Sequence, residues 1–245
     1  MSRDISPVIV RGTRRAHRFN RCQHGRMAVP SFTTLHAPTA PRAVVLLLHG
    51  GQQHNNEPVK NRHASWWRMA LIGRALKGMA RKEDLHVVLL RNRVRGWNSD
   101  TDPDPVRDAR WMLDDLGTRF PGVSVVLVGH SMGGRTSCRV ADDPNVVGVC
   151  ALAPWLPADE PHRALRDRAL HVMHGSNDRW TSADLSHSFV ERCRPIAREV
   201  SWTSMPGAGH FMLRRVSVWN RFVKESIEGI LGRAVVADHP NERSA

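Results

Sequence analysis

Apolar residues in this chain fall into two alternating patterns. Continuous apolar runs of strand length stand at Ala43–Leu48, His86–Leu90, Val123–Val128, Val146–Leu152 and Leu170–Met173, with a more polar run at Glu199–Thr203. A strand that is apolar at every position is buried on both faces, as in a parallel sheet covered by helices. Between these runs the spacing becomes helical. Trp66, Met69, Ala70, Ile72, Gly73, Leu76 and Met79 recur at helical intervals. Asp104-Pro105 reads as an N-cap and first helical position, opening a helix to about Phe120. Further helices are expected over Met132–Ala141 and from Ser182 to Cys193. Trp219, Phe222, Val223, Ile227, Ile230 and Leu231 share one face at a period of 3.6. At the front, Val29–Leu35 reads as an edge strand. The turn Pro38-Thr39-Ala40-Pro41 predicts a hairpin between it and Ala43–Leu48. Alternation of buried strands with amphipathic helices over residues 43–232 predicts one α/β domain, a doubly wound parallel sheet with helices on both faces. In such sheets a ligand binds beyond the carboxyl ends of the strands.

The 245 residues suffice for one such domain with a proper core. A 41% hydrophobic fraction and a mean hydropathy of -0.40 suit a soluble globular protein. No apolar run reaches membrane-spanning length. The N-terminus lacks the apolar segment of a secretory signal, so a cytoplasmic protein is expected. Residues 1–26 are arginine-rich and read as a poorly ordered basic tail, with Met27 as an alternative start. The domain is then expected over residues 27–236, with a loose tail at 237–245.

Net charge is +13 and the pI about 11.2. That balance admits an anionic partner. No RNP, zinc-finger or basic-zipper pattern accompanies it, so an arginine-rich solvated surface is the reading, and nucleic acid is not expected as a partner. Cys22, Cys138, Cys150 and Cys193 are widely spaced and read as free buried thiols. The 14 histidines contain no H-E-x-x-H, so neither a metal site nor a cofactor is expected.

The chemistry centres on Val125-Val126-Leu127-Val128-Gly129-His130-Ser131-Met132-Gly133-Gly134. An apolar strand runs into a turn of small residues with a serine at its apex and a helix behind it. This is the context a nucleophile elbow requires. The free N–H groups of the helix start then lie beside the serine hydroxyl. A serine needs a base within reach, and the base needs an acid to orient it. Downstream, Asp178 stands after the run Leu170–Met173 in His174-Gly175-Ser176-Asn177-Asp178. His210 stands after Glu199–Thr203 in Gly207-Ala208-Gly209-His210-Phe211. Asp178 could instead cap the next helix, and Asp184, inside that helix, is a weaker candidate acid. His49-Gly50-Gly51-Gln52 breaks the second strand. There the N–H of Gly51 or Gln52, with that of Met132, could stabilise an oxyanion. Trp97, Trp155 and Trp180 follow strand ends and could wall an acyl pocket or simply pack the rim. Arg91, Arg93, Arg95 and Arg179 could draw an anionic substrate or lie solvated on the surface.

With these residues in the order serine, aspartate, histidine, the chain resembles the α/β-hydrolase superfamily over about residues 30–232. The resemblance rests on His49-Gly50-Gly51, Gly129-His130-Ser131-Met132-Gly133, Asp178 and His210. It implies an eight-stranded, mostly parallel sheet, Ser131 as nucleophile, His210 as base and Asp178 as its orienter. It also implies Gly51 and Met132 as oxyanion donors. Members usually carry a cap after the strand corresponding to Val146–Leu152. Here the 17 residues Ala153–Ala169 leave no room for a cap domain. An open site argues against haloalkane dehalogenase and epoxide hydrolase chemistry, which would also want an aspartate at position 131. The expectation is a serine hydrolase of carboxylic esters acting on a small acyl substrate. Thioester, dienelactone and peptide cleavage are alternatives on the same residues. A hydrolase-fold binding protein for an anionic partner is the reading from another class.

Overall fold

Burial on both faces is what the apolar runs dictated, and the sheet satisfies it. The computed structural model describes residues 29–237; the expected basic tail, the loose C-terminal tail after Ala237, the alternative start at Met27 and Cys22 lie outside the described residues. In chain order come β1 (Ser31–His36), β2 (Ala43–Leu48), α1 (Ala64–Ala75), α2 (Lys77–Lys82), β3 (Leu85–Arg91), α3 (Asp104–Arg119), β4 (Ser124–His130) and α4 (Met132–Arg139). Then follow β5 (Val146–Leu152), a 3₁₀ turn (Arg163–Leu165), β6 (Ala169–Gly175), α5 (Ala183–Cys193), β7 (Glu199–Met205) and α6 (Val216–Ala237). The strands form one sheet in the order β1-β3-β2-β4-β5-β6-β7. All pairings are parallel except that of β1 with β3.

Strand β2 shows how the pattern is used. Ala43, Val45 and Leu47 join a core with Met69, Ile72, Trp219 and Val223 of α1 and α6. Val44, Leu46 and Leu48 join the other, with Met112 of α3, Cys138 of α4 and Phe189 of α5. Successive side chains leave a strand on opposite faces. Every position of β2 is therefore apolar because each face carries its own helical layer.

Three expectations change. The sheet has seven strands, not eight. The β1–β2 hairpin does not form: both edges of β2 are taken, by β3 and β4. Strand β1 instead crosses to the outer edge of β3, Phe32 opposite Leu90. Helix α3 begins one residue earlier than expected. Pro103 occupies the N-cap position without a side-chain bond. The carboxylate of Asp104 accepts from Arg93, Asn98 and Arg107 instead of from backbone.

All six parallel strands end at one edge of the sheet. Residues 153–168, between β5 and β6, contain only the 3₁₀ turn. Among the described residues no cap domain covers that edge.

A buried charge cluster braces it from beneath. Glu160, in the β5–β6 connection and 2% exposed, accepts from Arg135 Nε at 2.5 Å and from Arg139 Nε. The Arg135 guanidinium lies 4.0 Å from the Trp97 ring centre and 4.5 Å from that of Trp155. Thus one side chain of α4 ties the loop after β3 to the loop after β5. Removing the acid strands a buried guanidinium, which typically costs about 3–5 kcal/mol. Glu160→Ala should lower the melting temperature by about 10 °C, measured by thermal denaturation. A melting point within a degree or two of the parent would show that the cluster bears no such load.

Candidate active site

The site begins with a backbone that only close packing sustains. Ser131 sits between β4 and α4 at φ 57°, ψ -119°, a region costly for a residue with a side chain. The turn survives because strand and helix nearly touch. A Cβ on Gly129 would stand 2.3 Å from the Gly133 carbonyl oxygen, and one on Gly133 would stand 2.2 Å from that of Leu48. Ser131 N–H donates to Leu152 O at 3.0 Å, and Trp155 N–H donates to Ser131 O at 3.1 Å. The strained residue is therefore held from both sides.

The three residues that sequence placed far apart meet here. Ser131 Oγ lies 3.0 Å from His210 Nε2. His210 Nδ1 lies 2.8 Å from Asp178 Oδ2. A carboxylate only accepts, so Nδ1–H donates to Asp178 and Nε2 is left to accept the serine proton. Ser131 and His210 are each 7% exposed, and the Asp178 side chain is fully buried. Asp184 lies in the first turn of α5, and it is Asp178 that meets the imidazole.

Both readings of Asp178 hold at once. Its Oδ1 accepts Trp180 N–H at 2.8 Å and Thr181 N–H at 3.0 Å, closing the turn before α5. Its Oδ2 accepts from His210, from Thr181 Oγ1–H at 2.9 Å and from His174 Nε2 at 3.2 Å. The helix itself is capped by Ser182, whose Oγ accepts Leu185 N–H. Burial pushes the Asp178 carboxyl up, but hydrogen bonds from His174, His210, Thr181 and Trp180 outweigh it and hold the group well below the usual carboxylate range. It stays anionic whenever the protein is folded near neutral pH.

Two further histidines support the site from below. His130 Nε2–H donates to the His210 carbonyl at 2.9 Å. His49 donates from Nδ1 to Gly50 O at 2.7 Å and accepts Asn92 N–H at Nε2, pinning the loop that holds Gly51. Arg68 of α1 donates to the carbonyl of Met212, two residues past His210. Sequence reading passed over His174, Thr181, His130, His49 and Arg68. Only His49, His130 and His174 carried a signal, as members of the quoted motifs.

Of the two proposed loop donors, Gln52 drops out: its N–H already donates to Arg95 O at 2.9 Å. Gly51 remains. A Cβ there would stand 2.3 Å from the Met132 side chain and 2.4 Å from Arg95 O, so its backbone lies against the residue that follows Ser131. Met132 N–H precedes the first intrahelical bond of α4 and has no partner within that helix.

The tryptophans divide. Trp97 is 1% exposed, edge-on to Trp155 and covered by Arg135, so it packs the rim and offers a substrate no face. Trp155 is half-buried beside Ser131. Trp180 lies over His210. The arginines at the end of β3 and in the loop after it are also occupied: Arg91 with Asn61, Arg93 with Asp104 and Asp108, Arg95 with Glu57. Arg179 lies exposed on the rim.

Among the described residues, no three or more of the histidine, cysteine, aspartate and glutamate side chains converge as metal ligands. Cys138, Cys150 and Cys193 are free and buried. Burial pushes the thiols of Cys150 and Cys193 up to about 12, so neither is a ready nucleophile.

Burial gives three histidines a common pH response. It lowers His49 and His86 to about 4 and His130 to about 3, the last helped by neighbouring His210. Once unfolded, each takes up its proton near pH 6.5. Between pH 6.5 and about 4 the unfolded chain therefore binds more protons, and stability falls as pH falls, by up to about 1.4 kcal/mol per pH unit for each group. Urea unfolding at pH 7 and pH 5 should show a loss of several kcal/mol. In His86→Phe, which replaces an imidazole with no hydrogen-bond partner on either nitrogen, about a third of that loss should vanish. Equal unfolding free energies at the two pH values would contradict the assignment of buried neutral imidazoles.

Comparison with known proteins agrees with the fold. The model of the alpha/beta hydrolase family matches residues 45–224. No curated protein sequence matches the chain. Among solved structures, an alpha-beta serine hydrolase homologue from Coxiella burnetii is 18% identical with a TM-score of 0.61, covering 81% of this chain and 90% of its own. A serine hydrolase without a lid from Xanthomonas campestris is 16% identical with a TM-score of 0.58, covering 83% and 88%. An alpha/beta hydrolase enzyme from a Medee basin deep-sea metagenome is 15% identical with a TM-score of 0.63, covering 83% and 93%. With seven strands in this order, a strained serine between β4 and α4, and a family match over most of its length, the chain belongs to the alpha/beta hydrolase family.

Proposed function

We propose that this protein is a serine hydrolase that cleaves carboxylic esters, or a closely related acyl compound, through an acyl-enzyme. The observation that carries this reading is the unbroken relay from Ser131 Oγ through His210 to Asp178, at 3.0 and 2.8 Å. A binding protein has no need of a base aimed at a hydroxyl and an anion aimed at the base.

In this reading His210 Nε2 takes the Ser131 proton as Oγ attacks the substrate carbonyl. Negative charge collects on the carbonyl oxygen. The N–H groups of Met132 and Gly51 are the donors available to it, and losing one such donor commonly costs a hundredfold or more in rate. The tetrahedral species collapses as His210 protonates the leaving oxygen. Water, deprotonated by His210, then releases the acid and restores the serine. Asp178 stays ionised throughout and stabilises the imidazolium. The sparse β5–β6 connection leaves the approach uncovered, which suits small soluble acyl substrates.

The test is labelling with a fluorophosphonate, followed by turnover of short-chain p-nitrophenyl esters, thioesters and peptide amides. The expected adduct sits on the peptide containing Ser131, with esters turned over fastest. Absence of any adduct, together with no turnover, would refute the reading.

A further inference from the structure

Trp180 is 74% exposed, the most exposed of the eight tryptophans. It follows Asp178 by two residues, and the turn closed by Asp178 Oδ1 aims it back over the site. Its rings lie 6.2 Å from the His210 imidazole at an interplanar angle of 16°, an offset stack. Phe211, 41% exposed, stands edge-on to both, 5.3 Å from Trp180 and 5.3 Å from His210. Beneath, His210 meets buried His130 at 4.9 Å. The imidazole thus has one face against the core and an aromatic ledge along its outer side.

The chemistry says what that ledge borders. As the acyl-enzyme forms, the bond from Ser131 Oγ to the acyl carbon is made. The bond from that carbon to the leaving oxygen breaks with its electron pair on the oxygen, which takes the proton from His210 Nε2. The leaving oxygen must therefore lie within hydrogen-bond reach of Nε2, and the alcohol attached to it extends outward past His210. Trp97 is buried and Trp155 is half-buried with one face on Arg135, whereas Trp180 stacks on His210 itself. We infer that Trp180 and Phe211 form the leaving-group subsite, and that the preferred substrates are esters whose alcohol part is a flat aromatic group. This inference rests on the serine-hydrolase reading given above.

The experiment compares kcat/KM for benzyl and ethyl esters of one acid, two alcohols of similar leaving ability. Ethyl phenylacetate and ethyl butyrate vary the acyl side instead. Trp180→Ala should lower the benzyl-to-ethyl ratio about five- to tenfold, in line with the loss of an aromatic stacking contact. Phe211→Ala should lower it less, in the same direction. The phenylacetate-to-butyrate ratio should not follow. An unchanged benzyl-to-ethyl ratio in both variants, or a shift confined to the acyl ratio, would overturn the assignment of this ledge to the leaving group. Fluorophosphonate labelling separates the two levels. An adduct on Ser131 with unchanged ratios refutes the subsite alone, whereas no adduct and no ester turnover refute the hydrolase reading and the subsite with it.

Discussion

Ser131→Ala should reduce kcat for the best ester by about 10⁴- to 10⁶-fold, with the protein still folded. The size follows from what is removed. Without Oγ no acyl-enzyme can form, and His210 has only water to activate. What remains is the contribution of the backbone donors and of substrate binding. Stability should hold or rise slightly. The serine backbone is strained at φ 57°, and alanine keeps the Cβ while losing a hydroxyl whose partner is the His210 imidazole. Purified variant and parent are compared by initial rates and by thermal melts. Equal rates in the two proteins would dispose of the proposed nucleophile.

Asp178→Asn should cost about 10⁴-fold in kcat near neutral pH. An amide nitrogen facing His210 Nδ1 would force Nδ1 to accept, which moves the imidazole proton to Nε2 and points it at the serine. The base is then lost without loss of shape. Rotating the amide does not help. The Oδ1 position receives two backbone N–H donors and the Oδ2 position receives donors from His210, Thr181 and His174. An NH₂ group meets donors in either orientation, so this variant should also lose stability. Asp184→Asn, in the same segment, should show neither effect. The check is kcat for both variants alongside urea unfolding. Comparable losses in the two would mean that the orienting carboxylate has been misassigned.

The residues that sequence made legible are those whose local surroundings had to be unusual. Gly129 and Gly133 announced themselves because a strained turn between strand and helix leaves no room for side chains at those two positions, and Ser131 because it stands at the apex between them. Asp178 and His210 were visible because each follows a strand end, where a wound sheet collects its loops. Alternation of fully apolar runs with helical spacing set the fold class, since each run must be covered on both faces.

Other features depend on partners distant in the chain. Strand β1 pairs with β3 because the two edges of β2 are filled by β3 and β4, a competition that no stretch of local pattern records. Gln52 and Gly51 looked alike as donors until the chain after β3 folded back and Arg95 took the N–H of one of them. Whether Trp97 would wall a pocket or pack the rim stayed open in the sequence, and Arg135 of α4, lying on its ring, makes it rim packing.

Periodicity, glycine spacing and the order serine, aspartate, histidine thus determined the layers of this protein and its candidate reacting groups. Each of these is a constraint that a short segment must satisfy with its own residues. Tertiary structure alone decided which strand lies beside which, that His174 and Thr181 share the Asp178 carboxylate, and that Trp180 rests on His210. Those outcomes are set by hydrogen bonds and contacts between segments that become neighbours only when the sheet closes its order and brings the loop ends together.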